Sequence, residues 1–212
     1  METLNLFPTP VGIFDIGTPD EELTHWLKFQ VDKSWSDRGQ AGMYGTRSTD
    51  ERIINWPQMK EWHDKINSCI VEYNQEHFHF DFIELRFTQS WVSRKDPGEI
   101  HTPHVHPNSM FSAVWFFDDD DNSKPALTIH ESLETTRELA FSSSTEHEIY
   151  GLRKIDVESK PGRLVVFRSN IPHSVPRNNT DHTRWSLAMN TLPAYEIGNP
   201  HSLTGVDFTW LQ

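Results

Sequence analysis

The sequence predicts an α+β fold: a jelly-roll barrel of two antiparallel sheets, with two N-terminal helices packed on one outer face. Three observations predict it. Two stretches before residue 80 carry apolar side chains at helical spacing. After Phe78 the texture changes to short runs rich in Val, Phe, Ile and Trp. Turn-rich connections join these runs, as in a double-sheet barrel.

The opening stretch, Leu4 to Ile16, alternates weakly and holds Pro8 and Pro10, so it reads as an edge strand or an extended arm. Residues Asp20 to Trp35 read as a helix. Acidic residues open it, and Leu23, Trp26, Leu27 and Val31 recur on one face. Ser36 to Asp50, rich in Gly, Ser and Asp, reads as a loop. A second helix is expected from about Pro57 to His77, with Met59, Trp62, Ile66, Cys69, Ile70 and Tyr73 in one stripe. Strands are expected at Phe80–Val92, Phe111–Phe117, Ala126–His130, Gly162–Arg168 and Arg184–Leu192, and Asp96-Pro97-Gly98 is a turn. We read residues 1–212 as a single domain, helical over 1–79 and barrel over 80–212.

The 212 residues include 13 Phe and 8 Trp, enough for one aromatic-rich core. No apolar run approaches the ~20 residues that span a bilayer, and the start of the chain lacks a signal-peptide pattern. One cysteine, Cys69, allows no internal disulfide and suits a reducing cytoplasm. The formal charge of −12 disfavours nucleic acid as a partner. Asp118–Asp121 reads as a solvated strand end, without the spacing of a calcium loop.

Twelve histidines is a high count, and His101, His104, His106 and His130 cluster in mid-chain. On a strand, His104 and His106 point to one face while Val105 points away, and Pro103 and Pro107 bracket them. His173 follows the apolar run Gly162–Phe167 and Pro172. From a strand across the barrel it would complete a facial three-imidazole set. His101, three residues before His104, falls on the opposite face of a strand and reads as solvent-facing or as a support. Arg184 and Ser186 share a face eleven residues after His173. A guanidinium inside a barrel requires an anion, and a small dicarboxylate would satisfy it. Gln89, Trp91 and Ser93 read as lining groups, and Asn108 and Ser109 as turn formers or supports. Asp37–Arg47 and Ser142–Lys160 are candidate lids.

The ordered pieces Phe7-Pro-Thr-Pro-Val, Ser90-Trp-Val, Pro103-His-Val-His-Pro-Asn-Ser, Phe111-Ser-Ala-Val-Trp-Phe, Pro161-Gly-Arg-Leu-Val-Val-Phe, Ile171-Pro-His-Ser-Val and Arg184-Trp-Ser-Leu-Ala-Met-Asn span the chain. Together they resemble the 2-oxoglutarate/iron(II)-dependent oxygenase superfamily, and more narrowly a group of oxygenases from phages and marine bacteria. The resemblance implies a double-stranded β-helix and the cofactors Fe(II) and 2-oxoglutarate. It implies His104 and His173 as metal ligands, Arg184 on the distal carboxylate of 2-oxoglutarate, and Ser186 as its hydroxyl helper. It also implies oxidative decarboxylation to succinate, with hydroxylation of a C–H bond in a small molecule or peptide. The departure is His106, where the superfamily usually carries Asp or Glu. If His106 stood outside the metal shell, the vacant position could take a halide. Two other readings are a cupin-like three-histidine dioxygenase without 2-oxoglutarate, with Arg184 on a substrate carboxylate, and a non-enzymatic metal-binding barrel.

Overall fold

The computed structural model describes residues 8–32, 46–82, 84–118, 125–131, 154–198 and 204–207. Most of the first candidate lid, much of the second, and Asp119–Asp121 lie outside the described residues.

Helix α1 spans Glu21–Asp32. Asp20 Oδ1 accepts the Leu23 N–H at 2.8 Å, and Glu21 and Glu22 sit in the first turn, where carboxylates suit the helix dipole. Leu27 and Val31 are buried on its inner face. Helix α2 spans Lys60–His77 and buries Trp62, Ile66, Ile70 and Tyr73. It starts later than the pattern suggests. Pro57–Met59 closes a separate 3-10 turn, in which Met59 N donates to Trp56 O at 2.9 Å.

The strands are β1 (Gly12–Asp15), β2 (Thr46–Arg47), β3 (Leu85–Lys95), β4 (His101–His104), β5 (Phe111–Trp115), β6 (Pro125–His130), β7 (Lys154–Glu158), β8 (Arg163–Arg168), β9 (His173–Val175), β10 (Arg184–Pro193), β11 (Glu196–Ile197) and β12 (Val206–Asp207). One sheet runs β1-β8-β5-β10-β3-β2, a second runs β4-β9-β6-β7, and β11 pairs with β12. The strand pairs are antiparallel. The expected jelly roll is present, and β1 takes the expected edge position.

The period of two divides the large sheet. On one face Phe111, Ala113, Trp115, Leu164, Val166, Leu187 and Met189 join the helices in the main core. Trp62 of α2 stacks on Trp115, with ring centroids 4.3 Å apart. On the other face Val114, Val165 and Phe167 meet Leu127, Ile129 and Val157 of the small sheet. That second face is the barrel interior. In β3 the phase switches: Leu85 and Phe87 face the helices before the switch, Val92 after it. Thr88 is the extra residue there, because Thr191 pairs with Phe87 while Asn190 pairs with Gln89. The bulge turns Trp91, Ser93 and Lys95 inward. Strand β3 also continues past Val92 to Lys95.

Candidate metal centre

His104, His106 and His173 converge at one end of the barrel. One ring nitrogen from each lies within 4.8 Å of the others. Their placement differs in two ways from the strand argument. His104 and His173 do not face each other across the barrel: β4 and β9 are neighbours in the small sheet, and the two residues are direct cross-strand partners. His106 lies beyond the end of β4, just before a turn at Pro107 and Asn108, and its backbone N–H donates to Ser169 O at 2.9 Å. Asn108 has φ 58°, a left-handed conformation that Asn tolerates, so it is a turn former.

The ring orientations are set by the residues around them. His104 Nδ1 lies 2.8 Å from Thr102 O, and His173 Nδ1 lies 3.0 Å from Ile171 O. A carbonyl only accepts, so each Nδ1 carries the proton and each Nε2 offers a lone pair. His106 Nε2 is 3.1 Å from His173 Nε2. Phe167 packs edge-on against His173 at 4.7 Å. Burial pushes His173 down to about 3 and His106 to about 4, and it lowers His104. All three rings are neutral at pH 7, as metal ligation requires.

His101 departs from its expected place. Its ring stacks on His104, with centroids 4.1 Å apart and planes 18° apart. The reason is a register shift between them: His101 pairs with Val175 and His104 with His173. Three steps on β4 span two on β9, so both rings emerge on one side. Burial pushes His101 down to about 3.

Facing the histidines, β10 and β3 line the same cavity with Arg184, Ser186, Ser93 and Lys95. Arg184 pairs with Lys95 across the strands, and Ser186 with Ser93. Arg184 Nη2 donates to Pro176 O at 2.8 Å, and Lys95 Nζ donates to Ser93 Oγ at 3.1 Å. Burial brings Arg184 down to about 10 and Lys95 to about 8. Among the described residues that line the cavity there is no Asp or Glu. Such a wall suits an anion.

Of the other anticipated residues, Trp91 lines the cavity with its ring 5.8 Å from His106. Gln89 does not line it and instead donates to Glu51 on the exterior. Asp118 pairs with Lys28 at 2.9 Å. Sequence reasoning missed Lys95 and Asn190. The signal for Lys95 was available, since Trp91, Ser93 and Lys95 alternate on one face.

Residues 89–190 match the family model described as "Putative 2OG-Fe(II) oxygenase". The resemblance to the 2-oxoglutarate/iron(II) oxygenases holds. The match opens in β3 and closes in β10, so it encloses the three histidines and Arg184. The structure is similar to a prolyl-4-hydroxylase from Pseudomonas putida, at TM-score 0.57 and 16% identity, covering 86% of this chain and 92% of that one. It is similar to the non-heme alpha ketoglutarate dependent carbocyclase SnoK from nogalamycin biosynthesis, at TM-score 0.62 and 14% identity, covering 88% and 80%. It is also similar to the viral collagen prolyl hydroxylase of Paramecium Bursaria Chlorella virus-1, at TM-score 0.52 and 12% identity, covering 85% and 94%. At these identities the likeness is one of fold. Among curated protein sequences nothing matches. Among the described residues no helix is long and apolar enough to cross a membrane.

Proposed function

We propose that this chain is an Fe(II)- and 2-oxoglutarate-dependent dioxygenase that hydroxylates a C–H bond of a small molecule or peptide. In this reading His104, His106 and His173 hold the iron. Arg184, with Ser186 beside it, holds the distal carboxylate of 2-oxoglutarate. The observation that carries it is a three-imidazole donor set facing a buried guanidinium across one cavity.

The donor set fits the metal. With metal–imidazole bonds of about 2.1 Å, cis nitrogens of an octahedral site sit about 3.0 Å apart. The Nε2 atoms of His106 and His173 are 3.1 Å apart. Three ligands on one side leave the other side for 2-oxoglutarate and oxygen. Iron(II), when bound, supplies the redox centre for oxidative decarboxylation of 2-oxoglutarate and oxidation of the substrate.

The chain's own contribution is positioning. Thr102 O and Ile171 O fix two rings, Arg184 offers a planar fork to a carboxylate, and Phe167 and Trp91 exclude water. Three neutral imidazoles leave the iron's charge uncompensated by protein, and a dianionic cosubstrate balances it. The packing of both helices onto the large sheet supports residues 1–212 as one oxygenase domain. The acidic charge and single cysteine favour a small molecule or peptide over nucleic acid, and a cytoplasmic setting.

The test is aerobic incubation with Fe(II) and 2-oxoglutarate, with succinate as the readout. Succinate above the iron-free control, lost in His173→Ala, is expected. The all-histidine donor set also favours a second reading, a three-histidine dioxygenase in which Arg184 holds a substrate carboxylate. No succinate and no thermal protection by 2-oxoglutarate would select that reading.

A further inference from the structure

His104 and His173 each give their Nδ1 proton to a backbone carbonyl, so their tautomer is fixed. His106 differs. Its Nδ1 faces the side-chain amide of Asn190 at 3.3 Å. An amide can present either an oxygen or an N–H, and so can support either tautomer. The other amide atom of Asn190 lies 2.8 Å from Ser112 Oγ, which lies 2.8 Å from Ser169 Oγ. Asn190 and Ser112 are 2% exposed and Ser169 is fully buried, so water does not replace these bonds. Hydroxyls donate and accept, and the chain is therefore satisfied in two ways.

In the first arrangement Ser112 donates to Asn190 Oδ1, and Asn190 Nδ2 donates to His106 Nδ1. The His106 proton is then on Nε2, aimed at His173 Nε2 at 3.1 Å, whose lone pair accepts it. That imidazole pair closes the site on itself. In the second arrangement the amide is turned over. Oδ1 accepts from His106 Nδ1–H, Nδ2 donates to Ser112, Ser112 donates to Ser169, and His106 Nε2 has a bare lone pair.

We propose that Asn190, backed by Ser112 and Ser169, selects the tautomer of His106, and that its amide turns over when metal enters. This rests on the reading of His106 as a metal ligand. A carboxylate at position 106 would need no such control, whereas an imidazole does. The step conserves protons: one leaves Nε2 and one appears on Nδ1 of the same ring. Asn190 is a positioning residue acting through His106.

The test reads ring tautomers by two-bond 1H–15N correlation, with diamagnetic Zn(II) as the metal. In the metal-free protein His104 and His173 are expected as Nδ1–H and His106 as Nε2–H. One equivalent of Zn(II) should convert His106 to Nδ1–H. Asn190→Asp, whose carboxylate only accepts, should show Nδ1–H on His106 without metal and bind Zn(II) at least as tightly as wild type. Asn190→Leu should bind Zn(II) roughly 10–100-fold more weakly, the usual cost of a lost outer-shell partner. An Nδ1–H His106 in the metal-free wild type overturns the proposal, as does Zn(II) affinity within twofold of wild type for Asn190→Leu. If Asn190→Leu does not fold, the isosteric Asn190→Asp and the wild-type tautomers decide. Loss of Zn(II) by His106→Ala with normal binding by Asn190→Leu defeats this inference alone. Normal binding by His106→Ala defeats the ligand assignment beneath it.

Discussion

Replacing Arg184 by methionine separates an anion-holding role from a structural one. Arg184 is 7% exposed, and burial lowers it from the ordinary guanidinium value to about 10. At 1.36 kcal/mol per unit, keeping the charge inside costs the cosubstrate-free protein roughly 3 kcal/mol. Methionine keeps much of the apolar stem and removes that cost. It forfeits the bond to Pro176 O, worth about 1 kcal/mol. The cosubstrate-free Tm of Arg184→Met should therefore hold or rise, by about 2–4 °C per kcal/mol gained. Cosubstrate changes the comparison. At one hundred times its Kd, 2-oxoglutarate adds about 2.7 kcal/mol, or roughly 5–10 °C, to the wild type. Losing one partner of a buried charge pair costs about 2–5 kcal/mol, so Kd should rise by about 30-fold or more. The same concentration should then raise the Tm of the variant by less than about 3 °C. Thermal melts with Mn(II) in place of iron, with and without 2-oxoglutarate, give all four values. A variant that melts several degrees lower yet keeps the full 2-oxoglutarate shift would refute the argument.

Four further outcomes follow from the structure. Histidines 101, 106 and 173 sit near 3, 4 and 3 in the fold, below the unfolded value of about 6.5. The unfolded chain thus binds more protons below pH 6.5, so metal-free stability is whole above that pH. It declines as pH falls towards 4, by about 1.4 kcal/mol per unit for each histidine, in urea midpoints. In the folded protein burial lowers His104, His106 and His173 alike, so calorimetric Co(II) affinity should hold to a lower pH than the ordinary histidine value of about 6.5. Lys95→Met should weaken 2-oxoglutarate binding, by less than Arg184→Met, in isothermal titration. Gly162 has φ +79°, and a Cβ there would lie 2.6 Å from Gly17 backbone, so Gly162→Ala should cost about 1–3 kcal/mol and lower the Tm.

Much of this was legible in the sequence, for identifiable reasons. The helix stripes mark their buried faces because period 3.6 is visible without knowing the partner. His104, His173 and Arg184 stand out because two imidazoles and a guanidinium are costly in a barrel without a ligand. What failed was parity and partnership. The extra residue between His101 and His104 cancels the alternation that set them apart, and no sequence pattern announces a bulge. His173 was expected across the barrel, but β9 lies beside β4, because strand adjacency is a property of topology rather than of local pattern. Asn190 was hidden for a similar reason. It matters through Ser112, Ser169 and His106, which lie 78, 21 and 84 residues away in the chain.

In the proposed function three histidines and one arginine hold iron and 2-oxoglutarate together. Anomalous diffraction at the iron edge tests it most directly, on crystals grown anaerobically with Fe(II) and 2-oxoglutarate. One peak is expected within about 2.1–2.3 Å of the Nε2 atoms of His104, His106 and His173. Density is also expected for a chelating keto acid whose far carboxylate meets Arg184. A peak without His106 in its shell, or cosubstrate density away from Arg184, would contradict it.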